Sequence, residues 1–439
     1  QTVWLNAPPM GAALATSLCG QGWNAYDVTA WVKAQTNGEV SLGLRTANPY
    51  APFLGINSRE GGAPPMLIIH HAGPSAGDSA PTPGFPSTSG LEHGVYVHGE
   101  SGYRRMENIA AAVAAVRPGE EIVLGPGVYY ESFTLTGDGT AEQPLKIRGD
   151  GNPRPVIDGS LSTSWKNSDR GLIMVSGRNW IIQHLDIRNA HPWGEAASNS
   201  GCFYIHPAEN TVIRDCGVYF GGDGIFSTDG SKELTVEYCE VAYNSFPHAG
   251  YEHGFYVCNA GTVTVRFSYI HHNGGQNFKT RAENCVFEYN YVQSPGNYQL
   301  DFADGEKFLD QDAVLIGNVI VTDNRYRANE QFIVFGENRH GGSLYLYSNT
   351  FVHYYPLDAA WIHMWFPDAT PVGETSLTAW NNVFHYAAGG GKMQFYSSEK
   401  SIPVTGGANW FSTGTGNVPS AMLGTLYGAD PAFTDPQGG

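Results

Sequence analysis

The sequence predicts an all-β chain, a right-handed parallel β-helix (a solenoid) preceded by a small β-sandwich portion. Three observations predict it: a hexad that recurs about once every 22 to 33 residues, a composition of short strands and turns, and a Pro/Gly/Ser-rich divide near the front. The hexad reads apolar, any, any, small polar or Cys, any, apolar. It recurs as Ile182 to Ile187, Ile213 to Val218, Val236 to Val241, Val265 to Ile270, Phe287 to Val292, Leu315 to Ile320, Leu346 to Phe351 and Ala379 to Phe384. Its fourth positions are Leu185, Cys216, Cys239, Ser268, Asn290, Asn318, Asn349 and Asn382, separated by 31, 23, 29, 22, 28, 31 and 33 residues. Each step is about the length of one coil of three short strands with variable loops, and a repeat of that period is a solenoid signature.

Composition agrees. The 439 residues include 55 glycines, aromatics make up 13% and charged residues 15%, so long periodic helices are disfavoured and frequent turns expected. Residues 72 to 90 hold fourteen Pro, Gly, Ser or Thr in nineteen, too few apolar side chains to bury a core. The expected organisation is therefore a front unit at 1–71, a linker at 72–92 and a β-helix at 93–439.

In order along the chain, the front unit alternates like strands at Val40-Ser41-Leu42-Gly43-Leu44 and at Met66-Leu67-Ile68-Ile69. With its Ser58-Arg59-Glu60 signature, the run from Tyr26 to Ile69 resembles the closing half of a DNRLRE-type module, a jelly-roll sandwich found beside polysaccharide-degrading domains. Half a sandwich would leave strand edges unpaired, so residue 1 is expected not to be the natural start. After the linker, the Ala-rich patch Met106 to Val116 predicts a short helix plugging the open end of the solenoid. Coils stack about 4.8 Å apart, so the four consecutive Asn at the fourth position should bond side chain to side chain. Cys216 and Cys239 become stacked neighbours, and parallel side-chain directions favour an unbonded pair over a disulfide.

The formal charge of −17 argues against a nucleic-acid or anionic-membrane partner. No apolar run reaches the roughly 20 residues of a membrane span. No Cys-x-x-Cys pair marks a zinc or redox site. A secreted or cell-surface protein with a polysaccharide partner is the expectation; oligomeric state is left open.

Function on a solenoid sits on outward faces and loops. Aligning GGDGIFS (221–227), YEHGFYV (251–257), GQNFKTR (275–281) and NYQLDFA (297–303) points Ile225, Phe255, Phe278 and Leu300 inward and Phe226, Tyr256, Lys279 and Asp301 outward. Arg281 shares the face of Lys279. One line earlier stand Asp223, His253, Gln276 and Tyr298, and the loops add His248, Glu252, His271 and His272. Five acids follow at Asp301, Asp304, Glu306, Asp310 and Asp312, and further cations at Arg325, Arg327 and Arg339. Taken singly, a Lys-x-Arg is usually a solvated face and an Asp between glycines usually a turn. Their convergence over three coils by one alignment is what makes a site of them.

This constellation on this coil pattern resembles the pectate-lyase-like superfamily of right-handed β-helices, over roughly residues 95 to 439. In polysaccharide lyases of that superfamily, an outward Lys or Arg removes the proton beside a uronate carboxylate, and a second cation, Arg or Ca²⁺, masks that carboxylate. The resemblance implies Lys279 as base, Arg281 as mask, Tyr256 or His253 as proton donor and Asp301 holding Lys279. Tyr298, His272, Arg325 and Arg327 would contact the glycan. Ca²⁺ is the cofactor the resemblance would allow, although the acidic 301 to 312 loop lacks EF-hand spacing. GGDGIF and EHGFY also resemble segments of polygalacturonase-like hydrolases, but the adjacent Asp-Asp pair of those enzymes is missing. A glycoside hydrolase using Asp223, Asp301 or Asp304 and a non-enzymatic surface or filament rod are the alternatives.

Overall fold

The computed structural model describes residues 89–431 apart from 162–169, 191–199, 246–251, 259–260, 304–310, 323–330, 337–340, 355–358, 366–374 and 389–391. The expected front sandwich at 1–71 lies outside the described residues, as does nearly all of the linker.

The expected solenoid is present. Three long sheets of 13, 12 and 10 strands form walls A, B and C. The chain visits them in turn: Trp180–Gln183 in wall A, Asp186–Arg188 in wall B, Gly201–Ile205 in wall C, then Glu209–Arg214 in wall A again. Coil-to-coil pairing is parallel from Glu121–Leu124 onward.

The front of wall A is finished differently. Val95–Gly99 pairs antiparallel with both Gly102–Met106 and Glu121–Leu124, so a hairpin covers the first edge. The predicted plug is a helix at Ile109–Ala115. Asn108 caps it by accepting from Ala111 N at 2.8 Å, and Ile109, Ala112 and Val113 point into the core. This closes the end of the apolar stack, which would otherwise meet water.

The hexad marks the corner between walls A and B. Its first residue faces inward from wall A, its fourth fills the corner and its last faces inward from wall B, as Ile213, Cys216 and Val218 do, all fully buried. The Asn ladder forms as expected and continues to Asn409. Asn349 Oδ1 accepts from Asn318 N and Nδ2 at 3.0 and 2.9 Å, while its own Nδ2 donates to Leu315 O and to Asn382 Oδ1. The buried amides of Asn290, Asn318, Asn349 and Asn382 are thereby satisfied along the axis. Toward the front the ladder continues as Ser268 and the free thiols of Cys239 and Cys216. Inside wall B, Phe351, Phe384 and Phe411 stack at 4.8 Å per coil and within 6° of parallel.

Two corner features were not anticipated. The residue just before each ladder position adopts a left-handed backbone: His184, Asp215, Tyr238, Phe267, Tyr289, Gly317, Ser348, Asn381 and Ala408, with φ between 50° and 65°. One such residue turns the chain sharply from wall A to wall B. A second amide ladder, Asn244, Asn273, Asn277 and Gln299, fills the corner between walls B and C. Asn244 Nδ2 donates to Asn273 Oδ1 (3.0 Å), Asn273 Nδ2 to Asn277 Oδ1 (2.9 Å) and Asn277 Nδ2 to Gln299 Oε1 (2.8 Å). This ladder fixes the turns that lead into the wall C strands carrying the candidate site.

Candidate active site on wall C

Wall C places one outward residue per coil in a single row. The register runs Tyr204, Phe226, Tyr256, Lys279, Asp301, Val334 and His363. The inward partners Ile225, Phe255, Phe278 and Leu300 are all fully buried. The phase expected from sequence is therefore the phase of the fold. Small inward errors would matter here, since a slip of one residue would turn the whole row into the core.

Lys279 and Asp301 meet across one coil step, Nζ to Oδ2 at 3.0 Å, with side chains only 12% and 3% exposed. Gln276 Nε2 donates to the same Oδ2 at 3.1 Å. Asp301 Oδ1 is buried and has no hydrogen-bond partner among the described residues. Arg281 Nε donates to Tyr256 Oη at 3.3 Å, so the second cation faces the phenol of the coil before. The His253 ring stands edge-on to Tyr256, 5.5 Å between centroids.

The hydrogen bonding of His253 sets its tautomer. Its Nδ1 accepts from Gln276 N at 3.2 Å, so in the neutral ring the proton resides on Nε2. Burial, then the nearby charges of Lys279 and Arg281, push its pKa down to about 3. His253 is thus a neutral ring with one N–H to donate, and not a base. Its own backbone N–H donates to Asp223 Oδ1 at 2.7 Å. Asp223 is fully buried, its Oδ2 has no hydrogen-bond partner among the described residues, and burial drives its pKa well up. The His253 N–H works against that rise and the charge of Glu252 adds to it. The expected turn role of Asp223 is therefore joined by an electrostatic one.

Tyr256, Lys279, Arg281, His253 and Asp301 are thus brought together. Others are not. Tyr298 is half-buried in the turn before Leu300–Ala303, where its carbonyl accepts from Asn277 N at 3.3 Å. His272 belongs to a different cluster: it stacks on Tyr243 (5.4 Å) and shares a 2.7 Å hydrogen bond with His271, whose Nε2 meets Glu240 Oε1 at 3.1 Å. Arg325 and Arg327 lie outside the described residues, as do Arg339, His248, Asp304, Glu306 and Asp310. Sequence reading missed Tyr204 and Arg170. Arg170 sits over the rings of Tyr204 and Phe226 at 5.9 and 5.8 Å, extending the row by a cation from the start of the wall C strand three coils before Tyr256. Extending the alignment one coil back, to GCFYIH, would have found Tyr204.

For a metal, the fit is poor among the described residues. No three His, Cys, Asp or Glu side chains there are arranged to hold an ion. Asp223 and Glu252 supply two buried carboxyls, short of the six to eight oxygens of a Ca²⁺ site. No step below is routed through a metal.

Coils of three parallel walls, with corners filled by amide ladders, decide the fold comparison. Residues 170–357 match the family described as right-handed β-helix region. Among solved structures, the chain is similar to pectate lyase Pel9A, with 15% identity over 71% of this chain and 75% of that one (TM-score 0.40). It is likewise similar to an alginate lyase from Paenibacillus sp. str. FPU-7, with 17% identity over 73% and 95% (TM-score 0.38). The surface protein and adhesin PfbA of Streptococcus pneumoniae is similar at 15% identity over 72% and 91% (TM-score 0.44). No curated protein sequence matches. Among the described residues no helix is long and apolar enough to cross a membrane.

Proposed function

We propose that this chain is an extracellular polysaccharide lyase that cleaves a uronic-acid-containing glycan by β-elimination. The observation that carries the reading is Lys279 and Arg281 on one outward face, with Asp301 3.0 Å from the amine and Tyr256 3.3 Å from the guanidinium. A carbon acid beside an ionised carboxylate is too weak to lose its proton until that charge is masked. Arg281 masks the carboxylate. Lys279 Nζ, as the free amine, takes the C5 proton and becomes the ammonium. The electron pair forms the C4–C5 double bond and expels the glycosidic oxygen, which takes a proton from Tyr256 Oη or from His253 Nε2. Asp301 holds Lys279 in position, and Gln276 holds Asp301.

The test is absorbance at 235 nm on alginate, pectate and glycosaminoglycans. The intact protein should generate the unsaturated product, and Lys279→Ala should lower the rate by roughly 10²–10⁴-fold. Absence of product across the panel overturns the reading.

The buried pair Asp223 and Glu252 favours a second reading, a glycoside hydrolase in which a protonated Asp223 is the acid. That enzyme would release reducing ends without absorbance at 235 nm. A non-enzymatic rod would behave alike with and without Lys279→Ala.

A further inference from the structure

The outward row of wall C does not begin at Tyr256. Tyr204, Phe226 and Tyr256 form one continuous stack, with ring centroids 5.3 and 5.5 Å apart and planes within 25° of parallel. The register places them on three successive coils, directly before Lys279. Of the three, only Tyr256 takes part in the proposed elimination.

Arg170 stands beside the front of that stack. It comes just before Gly171–Val175, the strand that pairs ahead of Gly201–Ile205. Its guanidinium carbon is 5.9 Å from the Tyr204 ring centre and 5.8 Å from that of Phe226, so the side chain reaches forward along the wall to a point level with the gap between the two rings. Arg170 is exposed, and no carboxylate among the described residues pairs with it. Two rings that steady a guanidinium leave its fork of N–H donors for an anion.

Polar groups flank the same rings. His206 lies two residues beyond Tyr204 and Thr228 two beyond Phe226, on the same outward face. His206 is exposed, stacks on Tyr204 at 5.8 Å and is hydrogen-bonded through Nδ1 to Thr228 Oγ1. Of the acids in these coils, Asp223 and Glu252 are buried, and the exposed Asp229 follows the opposite end of its strand from Asp223. The front of wall C thus offers a cation, an aromatic pair and a hydroxyl side by side. From Lys279 back to the Arg170 head is two to three coil steps, roughly 10–14 Å. A sugar unit is about as long as one such step. A polyuronate lying along the wall with one carboxylate at Arg281 therefore brings another to Arg170.

We infer that Arg170, held by Tyr204 and Phe226, is a remote carboxylate subsite that makes the protein select long uronate chains over short ones. It binds the carboxylate two or three units away from the sugar at Lys279. The inference rests on reading the Lys279 cluster as a uronate site and adds which chains that site prefers. A bidentate guanidinium–carboxylate pair fixes the register of the polymer, so remote binding goes into placing the C5 proton beside Lys279.

Saturated oligomers of mannuronate, guluronate and galacturonate, from trimers to octamers, test it. Calorimetric binding uses the Lys279→Ala chain, and rates at 235 nm use the wild type. Affinity for at least one series should rise with length. Arg170→Ala should remove the rise, weakening octamer binding and octamer kcat/KM about tenfold but trimer values less than twofold. Arg170→Lys should keep part of the gain, and the effect of Arg170→Ala should shrink as salt is raised. Circular dichroism and thermal melting should be unchanged in both variants. Three results overturn the inference: equal octamer binding with and without Arg170, an equal loss on trimers and octamers, or no binding of any of the three series. Arg170-dependent binding with no product at 235 nm would sink the lyase reading and leave the subsite standing. Product formed at rates indifferent to Arg170 would do the reverse.

Discussion

His253 shows what a single residue's surroundings decide. The ring accepts from Gln276 N and is pressed by burial and two cations, so its pKa falls to about 3 from an ordinary value near 6.5. Its imidazole signals should therefore not titrate between pH 5 and 8 in an NMR experiment, and a midpoint in that range would show the ring to be exposed and free of the two cations. The sign for stability follows. Below about pH 6.5 the unfolded chain binds a proton that folded His253 refuses, so this residue's contribution is lost as pH falls from about 6.5 toward 3. Asp223 works in the opposite sense. Its folded pKa is raised, so it keeps a proton that the unfolded chain sheds above about pH 4, and its contribution is lost as pH climbs through the folded value. Neither shift was legible from sequence. Asp223 between two glycines and His253 after Glu252 carry no sign of burial until neighbouring coils close over them.

Among elements, the amide ladders hold the corners. Asn349 is an interior rung: it accepts from Asn318 and donates to Leu315 O and Asn382. Asn349→Ala strands several buried groups at once, at about 1–3 kcal/mol each, so a loss of roughly 3–5 kcal/mol is expected. Urea unfolding should show the midpoint falling with little change in slope. A loss under about 1 kcal/mol would mean that water replaces the rung. This ladder was visible in the letters because Asn recurs at one hexad position. The second ladder was not, because Asn244, Asn273, Asn277 and Gln299 keep no constant offset from any apolar repeat. The left-handed corner was invisible for a different reason. Of its nine residues only Gly317, Asn381, Asp215 and His184 are types that favour positive φ, and the corner imposes that conformation on Tyr, Phe, Ser and Ala alike.

For the whole molecule, each coil bonds only to the coils before and after it, so stability is a sum of neighbour contacts. Amide exchange should then be slowest in the middle coils, such as Leu300–Ala303 and Asn284–Glu288, which are paired on both sides. It should be faster at Leu426–Gly428, the terminal strand of wall B, where Leu426 and Tyr427 are 64% and 54% exposed. Uniform protection from end to end would indicate one cooperative unit instead. The same linear order explains the site. Position along a coil chooses the wall, and the coil number chooses the place along it, so a cationic cluster can stand on wall C in a chain of net charge −17.

The letters alone determined the solenoid, its coil length, the helical plug, one Asn ladder and the phase of Tyr256, Lys279 and Asp301. Each of these depends on a periodicity, and a period survives in one dimension. Only the tertiary structure decided the proton on His253 Nε2, the buried state of Asp223, and the packing of His272 against Tyr243 and His271. Those depend on which side chains meet across coils 22 to 33 residues apart and on how much water their neighbours leave between them, and neither quantity is local in the chain.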